Sequence, residues 1–134
     1  MVPNDRRIVL EIGSAHREVR IVRLVSSGIG SLAGLDVEAI EDLRIAVDEA
    51  CVWLIDRGDG GRLNLSFVLA PDGGITVTGD IGIGPSTGDP ALGALVEQIL
   101  SASCAEHHFE TTVTHARFVV VGRTSVPIAG EAAG

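Results

Sequence analysis

Between Asp36 and Gly58 apolar residues return every three or four positions, through Ile40, Leu43, Val47, Ala50, Cys51 and Leu54. That period predicts a long helix with one stripe turned to a core. Asp36 stands where it can cap the first turn, Glu38, Glu41 and Asp42 suit the positive end of the helix dipole, and Arg57-Gly58 closes the other end. A second line, Asp42, Ala46, Glu49 and Trp53, runs along a neighbouring face and sets a carboxylate one turn from a large aromatic. This margin of the buried stripe is where a site is expected.

Elsewhere the pattern changes period. Arg7 to Ile12 alternates as a strand, and Ser14 is placed to cap a helix running to about Ser31 with Val19, Val22, Val25 and Ile29 inward. Leu63 to Leu69 and Ile75 to Thr78 read as a hairpin across the turn at Pro71-Asp72-Gly73-Gly74. A glycine-rich loop is expected from Gly79 to Pro90, a short helix from Ala91 to Ser101, and a closing hairpin of strands at about Glu106 to Glu110 and Val113 to Val121. The tail from Pro127 carries too little side chain to pack. This order fits an α/β arrangement of the α+β kind: a two-layer sandwich with a mixed, largely antiparallel sheet and helices on one face. Residues 1–126 are expected to form one domain, with 127–134 as a tail.

Charge narrows the partners. Ten arginines and no lysine oppose 18 carboxylates, for a net charge of -8, so direct binding to nucleic acid or to an anionic membrane is disfavoured and a basic partner is favoured. No apolar run approaches the roughly 20 residues of a membrane span, and no leader is legible, so a soluble, cytoplasmic protein is the expectation. Arg17, Arg20 and Arg23 form a basic stripe on the first helix. It reads either as a solvated face or as a docking surface for a partner's acidic residues. Cys51 and Cys104 form no metal or disulfide motif and read as small buried side chains. His107 and His108 are neighbours in a strand and face opposite ways, which leaves a metal without a third ligand.

Two segments carry candidate chemistry. Asp80-Ile81-Gly82-Ile83-Gly84 follows a strand, so its carboxylate is expected at a sheet end, with glycines that let backbone approach a ligand. A dinucleotide fingerprint is excluded, because Thr87 holds its third glycine position and Pro85 and Pro90 deny the loop an immediate helix. The helix segment Leu43 to Cys51, the loop Asp80 to Gly84, the helix LGALVEQIL from Leu92 and Thr111-Thr112-Val113 stand in a fixed order. Together they resemble the Bergerat-fold (histidine-kinase-like, GHKL) ATPases, and within them the small anti-sigma factors that double as serine protein kinases. The resemblance spans Arg7 to Arg123.

The resemblance implies roles for individual residues. Glu49 matches the general base of the kinases and Asp80 the aspartate that binds the adenine amino group. Gly82, Gly84 and Gly93 match glycine boxes, and Thr111 matches a threonine near the adenine. Arg23 lies near a first-helix arginine that holds the sigma factor, and Arg20 and Arg23 are expected to engage the partner's acidic side chains. It also implies ATP and Mg²⁺ as ligands, and as partners a sigma factor, a STAS-type anti-anti-sigma protein and a second copy in a homodimer.

The departures argue against phosphoryl transfer. The asparagine that binds Mg²⁺ in the family is replaced by Trp53, whose indole N–H offers no lone pair to a hard cation. Between Gly84 and Gly93 the lid holds no lysine or arginine, and Ala91-Leu92-Gly93-Ala94 keeps one glycine of a pair. The expectation is an anti-sigma factor that binds without phosphorylating, with Glu49 vestigial, Mg²⁺ excluded and ATP binding open. An active serine kinase and a non-catalytic module reusing the fold are the alternatives.

Overall fold

The computed structural model describes residues 6–124. The long helix, α2 (Val37–Arg57), starts as expected: the Asp36 carboxylate accepts a 2.8 Å hydrogen bond from the amide of Ala39. Leu43, Val47, Ala50, Cys51 and Leu54 are all fully buried. Before it, α1 (Val19–Leu32) follows strand β1 (Arg6–Gly13) through one 3-10 turn, His16–Glu18. Ser14 does not cap that helix; the chain stays extended through Ala15, and no side chain bonds to the first turn.

Strands β2 (Arg62–Leu69) and β3 (Ile75–Gly82) form the expected hairpin. The helix α3 (Pro90–Ser103) starts at Asp89, whose carboxylate accepts from the amide of Ala91. The closing hairpin is β4 (Glu106–Thr111) and β5 (His115–Val121). The five strands lie in the order β1-β2-β3-β5-β4, and every pairing is antiparallel. Among the described residues the sheet contains no parallel pair, so the mixed sheet allowed by the sequence resolves into its antiparallel form. The described residues form an α+β sandwich with one sheet and three α-helices.

The core forms where one face of the sheet meets the helices. Leu63, Leu65, Phe67, Ile75, Val77, Ile81, Ala116, Phe118 and Val120 alternate with more exposed residues, as strands with one covered face require. The α2 helix lies over β3 and β5, with α1 on one side and α3 on the other. Cys51 and Cys104 are free and buried in this core, as their isolation in the sequence suggested. Among the described residues no helix is long and apolar enough to cross a membrane.

Two strand boundaries differ from the sequence expectation. β3 does not end at Thr78 but runs to Gly82, because Gly79 keeps the alternation going with no side chain of its own. A Cβ there would collide with the Phe118 ring and with Leu65, so this glycine is a packing residue of a strand. β5 begins at His115 and not at Val113, since Thr112 accepts hydrogen bonds from the amides of Thr114 and His115 and so holds residues 112–114 as a turn. The tail from Pro127 lies outside the described residues.

The glycines supply a stability test with two signs. Gly79→Val should lower the unfolding free energy by about 1–3 kcal/mol through overpacking. Gly28→Ala, in α1 with nothing within 4 Å of the added Cβ, should raise it by about 0.5–1 kcal/mol. Urea denaturation of the two variants beside the parent measures both.

Candidate functional site

The last turn of α2 builds the centre of the site. Trp53 is 7% exposed and stacks on Phe109 of β4, with ring centroids 4.2 Å apart and planes 26° apart. One turn on, Arg57 folds back so that its guanidinium lies over the same indole, 4.1 Å from the ring centroid. Arg57 Nη1 donates to the Trp53 carbonyl at 3.2 Å and lies 3.6 Å from Asp56 Oδ2. The indole is therefore covered on one side by a ring and approached by a cation. No sequence periodicity marks the partnership with Phe109, which lies on a strand 56 positions further along.

The loop after β3 is stitched to this same turn. The Gly84 amide donates to the Arg57 carbonyl at 2.9 Å, the Asp59 amide to the Gly82 carbonyl at 2.9 Å, and the Asp89 amide to Asp56 Oδ2 at 2.8 Å. Gly88 has a positive φ of 85°, and a Cβ on it would sit 2.6 Å from Arg57 Cζ. The sequence reading expected no positive charge near this loop. The structure corrects that: the charge comes from α2, as Arg57, and not from the lid itself.

The glycines of the loop serve the chain's own packing. At Gly82 a Cβ would meet Asp59 Oδ2 at 2.6 Å, and at Gly84 it would meet the Gly58 carbonyl oxygen at 2.5 Å. Gly93 faces the Arg57 guanidinium, with Nη2 3.5 Å from the position of an added Cβ. Arg57, Ile83, Gly84, Pro85, Ser86, Thr87 and Thr111 line an open pocket of about 180 Å³. Gly84 and Thr111 are thus brought together, with Gly93 close behind.

Asp80 is not brought to this cavity. Within β3 it alternates with the buried Val77 and Ile81, so it projects from the opposite face of the sheet, where Asn64 Nδ2 donates to its Oδ1 at 3.4 Å. Its neighbour across the other ladder is Arg117, itself paired with Glu110. The signal was present in the sequence: Ile75, Val77 and Ile81 share one parity, and Asp80 has the parity of Thr76 and Thr78.

Glu49 is half-buried on α2, one turn before Trp53. Burial, reinforced by the neighbouring Asp48 charge, raises its carboxyl above the ordinary range, and Arg23 partly opposes this. Arg23 itself makes a two-pronged bond to Asp48, Nε to Oδ1 and Nη2 to Oδ2, both at 3.1 Å. It is engaged within the chain, whereas Arg20 is exposed on α1. Ile21, Leu24 and Leu32 on the same helix are exposed apolar residues. On β4, His107 faces the helices and approaches Glu97 of α3 at 2.6 Å, while His108 faces away. Among the described residues no group of three or more His, Cys, Asp or Glu side chains is arranged to hold a metal.

No protein-family model matches the chain. Over 73 residues it is 41% identical to the serine-protein kinase RsbW of Halalkalibacterium halodurans, a match covering 53% of this chain and 45% of that protein. It is 36% identical over 70 residues to the RsbW of Listeria monocytogenes, covering 49% and 45%. To that of Bacillus cereus it is 29% identical over 75 residues, covering 54% and 47%. The match spans less than half the length of each of these relatives. These partial-length likenesses support kinship with proteins named serine-protein kinase RsbW.

Two measurements check this geometry. Trp53 is the chain's one tryptophan, so its emission should be blue-shifted and poorly quenched by iodide, and Arg57→Ala should shift it red and raise the quenching. For Glu49, a folded-state pKa raised above the ordinary 4.5 makes ionisation unfavourable to the fold, an effect present at neutral pH and lost as pH falls below that ordinary value. Glu49→Gln should therefore stabilise the protein at pH 7, with the gain vanishing in acid. A gain that persists unchanged in acid contradicts the assignment.

Proposed function

We propose that this chain is an anti-sigma regulator of the RsbW kind that acts by binding and has lost phosphoryl transfer. The observation that carries the loss is the Trp53–Phe109 stack with Arg57 across the indole. The resemblance places an oxygen donor for Mg²⁺ at that turn of the helix. Here it presents a ring with no lone pair to offer a hard cation.

The remaining geometry supports the same reading. A cavity of about 180 Å³ falls below the roughly 300–1,000 Å³ of sites that enclose a drug-sized ligand. Asp80, the residue the resemblance assigns to adenine, projects from the other face of the sheet. At Gly82 and Gly84 the missing side chain makes room for Asp59 and Gly58 of the same chain, so packing alone accounts for these two glycines. These residues do not fit Mg-ATP, and no catalytic step is assigned to Glu49.

Partner binding is assigned to the outer side of α1. Arg20 on α1 is exposed, as are Ile21 and Leu24 after it and Arg17 in the 3-10 turn before it, so this end of the helix offers apolar contact beside positive charge. Arg20 is the stronger candidate of the two arginines first considered, because Arg23 would have to leave Asp48 to engage a partner. The net charge of -8 suits the basic, promoter-reading surface of a sigma factor. A STAS-type anti-anti-sigma protein competing for an overlapping surface would release it. A homodimer in the cytoplasm is the assembly proposed.

Two experiments test the reading. Incubation with labelled ATP, Mg²⁺ and a cognate STAS protein should transfer no phosphate above background; serine phosphorylation at ordinary kinase rates contradicts the loss. Sigma factor should co-purify with the protein from its native host, and Arg20→Glu should weaken that complex at least tenfold, about 1.4 kcal/mol, at unchanged stability. Retention of no sigma factor by the parent protein removes the regulator reading.

A further inference from the structure

The two edges of the sheet differ. β4, at one edge, is six residues long, carries Glu106 and Glu110, and is tied to α3 by the approach of His107 to Glu97 at 2.6 Å. Short, charged strands of this kind resist further pairing. β1, at the other edge, is eight residues long, and its register with β2 runs from Arg6 to Gly13 without a bulge or a proline. Among the described residues none of its backbone groups bonds beyond β2, so its outer edge offers unused donors and acceptors. The middle of the strand is apolar and poorly covered. Val9 is 68% exposed, and Ile8 and Leu10 are half-buried although they stand opposite the buried Phe67 and Leu65.

Charge marks the same edge. Arg23, Arg44, Arg57, Arg62, Arg117 and Arg123 each pair with a carboxylate. Among the described residues Arg6, Arg7, Arg17 and Arg20 pair with none, and all of them are exposed. Arg6 and Arg7 open β1, and Arg17 and Arg20 follow its other end, in the 3-10 turn and the first turn of α1. The helix then runs back along the strand, since Leu32 and Ala33 at its far end line a pocket together with Arg6. Unpaired cations therefore stand at both ends of the open edge, with Val9 between them. The acidic residues nearby are directed elsewhere: Glu11 is held by Arg62 at 3.1 Å, and Glu18 turns its carboxylate toward Gly13.

We propose that the outer edge of β1 receives an extended acidic segment of a protein partner, which joins the five-stranded sheet as a sixth strand. Backbone hydrogen bonds supply the pairing, β-branched residues of the segment meet Ile8, Val9 and Leu10, and carboxylates near its two ends meet the unpaired arginines. The eight residues of β1 span about 27 Å at roughly 3.4 Å each, so a partner segment of similar length suffices. Two copies of this chain joined at β1 bring like charges together, which favours a partner of opposite sign. The backbone of β1 is distinct from the side chains of α1 assigned to a sigma factor, so either assignment can fail alone.

The probe is a fluorescein-labelled synthetic peptide with valine and threonine alternating in its middle and glutamate at both ends. Titrating it with the protein should give a saturable rise in anisotropy in the micromolar range, weakened by added salt. N-methylating the central amides keeps the charge of the peptide and removes its donors, and it should weaken binding at least tenfold. Arg6→Gln, Arg7→Gln, Arg17→Gln and Arg20→Gln combined should weaken it as much at an unchanged unfolding transition, because none of these side chains has a partner among the described residues. Arg117→Gln, on β5 away from this edge, should leave binding within twofold. No saturable binding, equal binding of the N-methylated peptide, or undiminished binding by the quadruple variant overturns the proposal. A short single-stranded DNA that binds as tightly overturns it as well, because it marks a general anion surface. So does a dimer that the peptide does not displace and that Val9→Asp dissociates, because it places a second copy on the edge.

Discussion

The contact on which the site depends is the one between Trp53 and the two groups that cover it. A ring stack of this kind contributes about 0.5–1.5 kcal/mol beyond the area it buries, and the cation over the other face about 0.5–2 kcal/mol. Those amounts are modest beside the whole fold. Their importance is positional: they join α2 to β4 and, through Arg57 and Asp56, to the loop between β3 and α3. Remove the indole and three elements lose a common partner.

This arrangement explains why the glycine loop is closed without a ligand. Backbone hydrogen bonds from Gly84 to Arg57 and from Asp59 to Gly82 run like a short extension of the sheet, and Gly58 and Ile83 pair as an isolated bridge. Each glycine along it removes a side chain that would strike the facing segment. Glycine-rich sequence thus has two physical uses, approach to a ligand and approach to another part of the same chain. The second is the one realised at Gly82 and Gly84.

Electrostatics divides the surface in a comparable way. The chain is acidic as a whole, yet α1 carries Arg20 and Arg23, with Arg17 in the 3-10 turn just before it, beside exposed apolar residues. The pair between Arg23 and Asp48 lies at the surface, where such bonds contribute about 0–1 kcal/mol, so it orients α1 on α2 more than it stabilises them. Arg20 keeps its charge toward solvent.

The sequence by itself determined the helices and strands, because period, caps and turn residues act within a few positions of one another. The Asp36 cap, the stripe from Leu43 to Leu54, the first hairpin and the opposed faces of His107 and His108 were all legible in this way. The extra length of β3 was obscured by Gly79, which breaks the hydrophobic pattern while keeping the strand. The direction of Asp80 was readable from its parity with Thr76 and Thr78, though the motif around it suggested a pocket. Only the tertiary structure decided that Arg23 meets Asp48, 25 positions away, that Phe109 stacks on Trp53, and that Arg57 brings charge to a lid that has none. Such pairings depend on which surfaces the core packs together, and local spacing carries no record of that.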